Sequence, residues 1–232
     1  MQRRLIRAAA GAALLLGATA APAATRGYSV TSFDRIRVEG PFDVTVRTGV
    51  GSSGRADGPD RRMLDRVRIE VIGRTLVIRR DQDAASGGAL TGIRIAVSTP
   101  AVTGATVLGT GMVTIDSGRG ARFDVAVSGA GSVSVAALDI DLVNVTILGS
   151  GTARLAGRAR QVRASVQGAG TIAATPLSTQ DATITMAGTG TVALTAIRTA
   201  RITASGAGAI TISGTPACTV QSVGTVEVRC GH

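Results

Sequence analysis

The sequence predicts an all-β chain: a right-handed parallel β-helix of about 20-residue coils, with an N-terminal β segment capping it. Three observations carry this. Gly-x-Gly recurs at a nearly fixed step, apolar residues alternate with period two around the copies, and abundant glycine accompanies very few aromatic rings. Of the 232 residues 44% are hydrophobic, which supports a buried core. The 31 glycines exceed an ordinary domain's share, yet no Gly-X-Y collagen period accompanies them.

The glycine pairs are Gly109 and Gly111, Gly129 and Gly131, Gly149 and Gly151, Gly168 and Gly170, Gly188 and Gly190, and Gly206 and Gly208. Their first members lie 20, 20, 19, 20 and 18 residues apart, and Ser222-Val223-Gly224 is a worn seventh copy. A fixed period near 20 marks a solenoid. One copy reads Phe123, Val125, Val127, Gly129, Gly131, Val133, Val135 at every second position, and the next reads Val143, Val145, Ile147, Gly149, Gly151, Ala153, Leu155. Period two over that length is extended strand. The glycines keep the inward parity, so they are expected at corners whose inside has no room for a Cβ. Two strands per coil, hinged at Gly-x-Gly, would stack at ~4.8 Å into a prism about 30 Å long. An antiparallel sandwich would need tight hairpins, and residues 101–232 contain no Asn-Gly or Asp-Gly turn. A dinucleotide-binding loop would lead from Gly-x-Gly into a helix, whereas each copy here leads into more strand.

Residues 24–100 read as the cap and first strands, and residues 101–232 as the repeat coils of one domain. Ile36 and Val38, then Phe42, Val44 and Val46, alternate on either side of Gly40-Pro41, predicting two short strands and a turn. Val50 to Asp60 reads as a glycine-rich loop, Arg61 to Val67 as a helical turn, and residues 67–72 and 75–79 as strands. Asp81 to Gly92 reads as a second loop, with residues 93–97 as the following strand.

The first 23 residues read as a signal peptide. Met1 to Arg7 is basic, Ala8 to Ala20 is a short apolar run, and Ala21-Pro22-Ala23 offers cleavage after Ala23. That run is too short to span a bilayer, which needs about 20 apolar residues, and no later stretch is long enough. The expected location is therefore the periplasm or cell surface of a bacterium. Cys218 and Cys230 are the only cysteines and are expected to pair, as exported cysteines do.

The opening Phe33-Asp34-Arg35-Ile36-Arg37-Val38-Glu39-Gly40-Pro41-Phe42-Asp43-Val44-Thr45-Val46, then Leu64-Asp65-Arg66-Val67 leading to Gly73-Arg74-Thr75-Leu76-Val77-Ile78, then the serial Gly-x-Gly copies, resembles the autotransporter-adhesin head GIN domain family. The resemblance covers about residues 30–226. It implies an exported, β-helical envelope protein with an adhesive role by analogy with autotransporter passengers. Family members often carry a polar or acidic residue just after Gly-x-Gly. Those positions are Met112, Ser132, Thr152, Thr171, Thr191 and Ala209 here, so no acidic ladder is expected.

Little chemistry competes with a binding role. The single histidine is His232, and no nucleophile elbow or Walker loop occurs. No metal or other cofactor is expected. A carbohydrate-active enzyme on a β-helix is the alternative, and it would need clustered carboxylates. Asp139 and Asp141, with Asp116 and Asp124 earlier, are the best candidates, but arginines rather than acids stand at the next coil. They read as a solvated turn. The 25 basic residues are all arginine against 15 acids, a net charge of +10. Nucleic acid is excluded as the partner by export and by the absence of stacking aromatic side chains. An anionic envelope glycan or cell-surface polymer fits better, met along a face expected to hold Arg154, Arg163 and Arg201. Thr146, Ser165, Thr185 and Thr203 share one outward phase and read as ordinary exposed strand residues.

Overall fold

The computed structural model describes residues 24–81 and 90–231. The expected signal peptide and its cleavage after Ala23 lie outside the described residues.

Strands run in chain order as β1 (Ala24–Tyr28), β2 (Arg35–Glu39), β3 (Asp43–Thr48) and β4 (Ser53–Gly58), then the helical turn α1 (Arg61–Leu64). There follow β5 (Val67–Ile72), β6 (Thr75–Arg80), β7 (Arg94–Thr99) and β8 (Gly104–Gly109). The long strands are β9 (Met112–Gly129), β10 (Ser132–Gly149), β11 (Thr152–Gly168), β12 (Thr171–Gly188) and β13 (Thr191–Gly206). Last come β14 (Ala209–Ser213), β15 (Ala217–Gly224) and β16 (Glu227–Cys230).

The long strands stack in parallel, coil on coil, with Gly129, Gly149, Gly168, Gly188 and Gly206 in one register. In β10 the buried positions are Val133, Val135, Leu138, Ile140, Val143, Val145 and Ile147. The two-residue rhythm is broken by three-residue steps from Val135 to Leu138 and from Ile140 to Val143. At each break two consecutive side chains turn outward, so the wall bends there. β12 repeats the pattern with Ile172, Ala174, Leu177, Thr179, Ala182, Ile184 and Met186. Such a coil therefore has three short sides, not the two expected from the glycine corners alone. Burying each Val or Ile of these rows stabilises the stack by about 1.5–3 kcal/mol.

The two glycines of a corner meet different demands. Gly151 is buried, and a Cβ there would overlap the Val127 side chain and stand 2.8 Å from the Gly131 carbonyl oxygen. Gly149 instead faces out, so the inward reading holds only for the second glycine of the pair. Its φ of +109° is what excludes side chains, and its Cβ would also lie 2.8 Å from the Gly129 oxygen. Across the corner the ladder continues, with Ser150 N–H donating to Gly129 O at 3.0 Å and Thr152 N–H to Gly131 O at 3.0 Å.

The N-terminal strands enter the same stack out of chain order. β2 and β3, joined through Gly40-Pro41, form a coil corner that lies under β8 and the start of β9. On its other side β2 pairs with β6 and β3 with β7, all parallel. The chain thus lays the second coil first, adds the outer one, then crosses back. Beyond it β5 pairs antiparallel with β6, β4 with β7, and β1 with β4, closing that end. Asp60 caps α1 by accepting the Arg62 N–H at 2.9 Å. β4 corrects the loop expected over Val50 to Asp60. Its buried positions hold only Ala56 and Gly58, so no apolar alternation announces it.

At the other end β15 pairs with β13, and β16 with β14. Cys218 stacks on buried Ala200 and Cys230 on buried Ile212, so both point into the lumen. They are joined as a disulfide with 6.5 Å between Cα atoms, a cross-brace between two walls at the mouth of the stack.

Replacing Gly151 by Ala should cost about 1–3 kcal/mol, the usual penalty for overpacking, measured by urea unfolding. Exposed Ser150→Ala, one residue away, should stay within about 0.5 kcal/mol of wild type.

Candidate ligand-binding groove

Where the wall bends between its first and second sides, one row of side chains stacks as Arg119, Asp139, Arg158 and Ser178 on successive coils. A second row lies two residues further along and holds Asp141, Arg160 and Gln180. Together with Ile197 these residues line an open groove of about 600 Å³. Its length follows from coil spacing: four steps of ~4.8 Å, from Arg119 to Ile197, span about 19 Å. Gly120, with φ +132°, lies in its floor beside Ile140.

The charges of the groove are only partly matched. Arg160 and Asp141 approach to 3.5 Å with both side chains mostly exposed, a pairing that contributes little. Arg119, Arg158 and Asp139 have no hydrogen-bond or ion-pair partner among the described residues. Further along, Asp181 accepts from Thr199 Oγ1 at 2.6 Å and from Arg198 Nε at 3.1 Å. The Arg198 hydrogen bond, then that from Thr199, holds the Asp181 carboxyl below its ordinary range.

The other carboxylates considered from the sequence are structural. Asp116 accepts from Thr48 N–H at 3.0 Å, from Thr48 Oγ1 at 2.7 Å and from Ser117 N–H at 2.6 Å, tying β3 to β9. Asp124 is held by Arg122 Nε at 2.8 Å and Asn144 Nδ2 at 2.8 Å. Among the described residues no three His, Cys, Asp or Glu side chains cluster to hold a metal ion.

The arginine face expected from the sequence divides. Arg163, Thr183 and Arg201 occupy one ladder on the third side. Arg154 stands on the first side, in a ladder with Ser134, Ala173 and Ala193, so it does not share their wall. Both bends of the coil lie between Arg154 and Arg163, which is why equal outward parity did not place them together. The groove arginines were hidden by a one-residue deletion. Arg119 and Asp139 each fall ten residues after the first glycine of their coil, whereas Arg158 falls nine after Gly149 because that step is 19 residues. Thr146, Ser165, Thr185 and Thr203 do stack in a single exposed to half-buried row.

Against known families, residues 32–216 match the one described as "Putative auto-transporter adhesin, head GIN domain". The chain belongs to this family. Solved structures share the fold of this GIN domain across nearly its whole length. A putative adhesin from Bacteroides fragilis superposes with a TM-score of 0.81 at 22% identity, covering 91% of this chain and 97% of its own. A putative lipid binding protein from Parabacteroides distasonis gives 0.73 at 17% identity, covering 89% and 96%. A putative adhesin from Parabacteroides merdae gives 0.72 at 17% identity, covering 89% and 95%. No curated protein matches the sequence. No helix among the described residues of the GIN domain is long and apolar enough to cross a membrane.

The Asp116 site gives a pH-dependent expectation. Burial pushes this carboxyl up, but the hydrogen bonds from Thr48 and Ser117 outweigh it and leave it below the ordinary value. A lowered carboxyl stabilises the fold above its unfolded pKa of about 3.9 and loses that contribution as pH falls through the folded value. The melting-temperature gap between wild type and Asp116→Ala should therefore be full at neutral pH and shrink below about pH 4. A gap that stays constant into acid would contradict this assignment.

Proposed function

We propose that this GIN domain is a non-enzymatic, adhesin-like binding module, exported to the bacterial envelope, and that it holds an anionic surface polymer in the groove between its first and second sides. The observation that carries this reading is the row in which unpaired Arg119 and Arg158 flank Asp139 on successive coils. Their guanidinium groups lie two coil steps apart, about 10 Å, a repeat that an extended acidic chain can follow. Guanidinium pairs with carboxylate or phosphate through two parallel hydrogen bonds, and a groove in a rigid wall lowers the entropy cost of binding. Asp139 between them favours a ligand that alternates acidic and hydroxyl groups, since its carboxylate accepts from hydroxyls.

Export is supported by the leader-like sequence of residues 1–23, by the Cys218–Cys230 bridge, and by the adhesin description of the family. A non-enzymatic role is supported by the same description and by the arginines that stack on Asp139 and Asp141 where a hydrolase would need a second acid. The Parabacteroides distasonis relative is named as lipid binding, and an acidic lipid headgroup would present similar anionic chemistry to the groove.

Retention of the chain on immobilised acidic capsular polysaccharide tests the proposal, with anionic-lipid vesicles as a second arm. Wild type should be retained at low salt and released as ionic strength rises, because exposed charges are screened beyond about 8–10 Å at physiological salt. The Arg119→Gln/Arg158→Gln variant should lose retention, whereas Arg163→Gln/Arg201→Gln, on the next wall, should keep most of it. Binding to vesicles alone would replace the polymer by a membrane surface. Turnover of the polysaccharide, abolished by Asp139→Asn, would replace the binding module by an enzyme.

A further inference from the structure

A parallel stack has free strand edges at its two ends, and folded proteins blunt such edges with charge or cover them. Among the described residues four strands have only one partner: β1, β5, β15 and β16. Three of them follow the rule. β1 carries Arg26, paired with Asp65 at 2.9 Å. β5 carries Arg68 and Glu70, and the four-residue β16 carries Glu227 and Arg229. β15, Ala217-Cys218-Thr219-Val220-Gln221-Ser222-Val223-Gly224, has no charge and no proline, and it is the longest of the four.

All eight of its residues are exposed, although Cys218, Val220 and Ser222 stack on buried Ala200, Ile202 and Ala204. Val220 and Val223 are 43% and 74% exposed. The open strand therefore borders an open lumen, whose walls continue in half-buried Val226 and Val228. A lone peptide strand could extend one wall but would leave that mouth uncovered.

We infer that β15 is the seam of a two-fold dimer, in which two copies of this chain meet end to end and their β15 strands pair antiparallel. The opposite end of the stack is closed by β1, β4 and β5, so a head-to-tail filament has no matching surface. A β15 edge does match itself. With Val220 on the two-fold, Cys218 faces Ser222 of the second copy and Thr219 faces Gln221, so lumen-facing residues meet lumen-facing residues. The last strands, residues 209–230, supply about 20 residues, the size of one side of a standard interface.

Sedimentation equilibrium of the full chain over a wide concentration range, paired with amide hydrogen exchange, tests this. Wild type should reach twice the chain mass, with concentration-dependent protection centred on residues 217–224. Val220→Lys and, separately, Thr219→Lys should remain monomeric with unchanged circular dichroism; two variants are used because one could perturb the last coil. A wild type that is monomeric at every concentration, leaving the edge to a foreign strand, overturns the inference. So does a dimer that survives both substitutions or whose protection lies elsewhere.

Discussion

Coils in a parallel stack sit one hydrogen-bonded strand spacing apart, about 4.8 Å, and at the glycine corner that spacing leaves no volume for a side chain. The space is already taken by the coil before. Val107 fills it under Gly131, Val127 under Gly151, Ile147 under Gly170 and Val166 under Gly190. Each corner is therefore set by the apolar row of its predecessor, and the backbone ladder passes through it unbroken. The walls, their bends and the groove between them all follow from that closure. Positive φ at the first glycine turns the chain, and absence of a Cβ at the second lets it turn tightly.

With the corners fixed, side chains at equal phase stack into columns, and function becomes a matter of which columns carry charge. Arg119, Asp139 and Arg158 share such a column at a bend, where side chains splay outward around a groove instead of lying along a flat wall. The bend itself needs Gly157, with φ +119°, because a Cβ there would overlap the Leu138 backbone. The ends of the stack obey another logic. One is covered by antiparallel strands with paired charges, and the other is braced only by the Cys218–Cys230 bridge across the lumen.

Most of the coil architecture was legible because the repeat is dense in its own signal: a glycine pair and flanking apolar alternation in each copy. The three-sided shape was not, since the bends fall in polar stretches such as Ala136-Ala137 and Asp141-Leu142, where a one-residue parity slip leaves no apolar mark. β4 escaped notice because only Ala56 and Gly58 face inward, and the out-of-order packing of β2 and β3 depends on pairings with β6 to β9 that no local pattern encodes. Of the candidate site, the arginine excess was readable, but its grouping required the true register. Arg154 looked equivalent to Arg163 and is not, while Arg158 was displaced from its column-mates by the single 19-residue step.

The claim that each corner is set by the preceding coil is tested most directly by a double-mutant cycle between Gly170 and Ile147. A Cβ at Gly170 would overlap Ile147 Cγ2, whereas its next nearest neighbour, the Gly151 oxygen, stands at 3.2 Å. Gly170→Ala alone should destabilise by about 1–3 kcal/mol, and Ile147→Ala alone by about 2–5 kcal/mol. Because the second change removes the atom the first collides with, the double variant should fall short of the sum by about 0.5–3 kcal/mol in urea unfolding. Strict additivity would mean that the two coils do not compete for the corner, and would contradict the account.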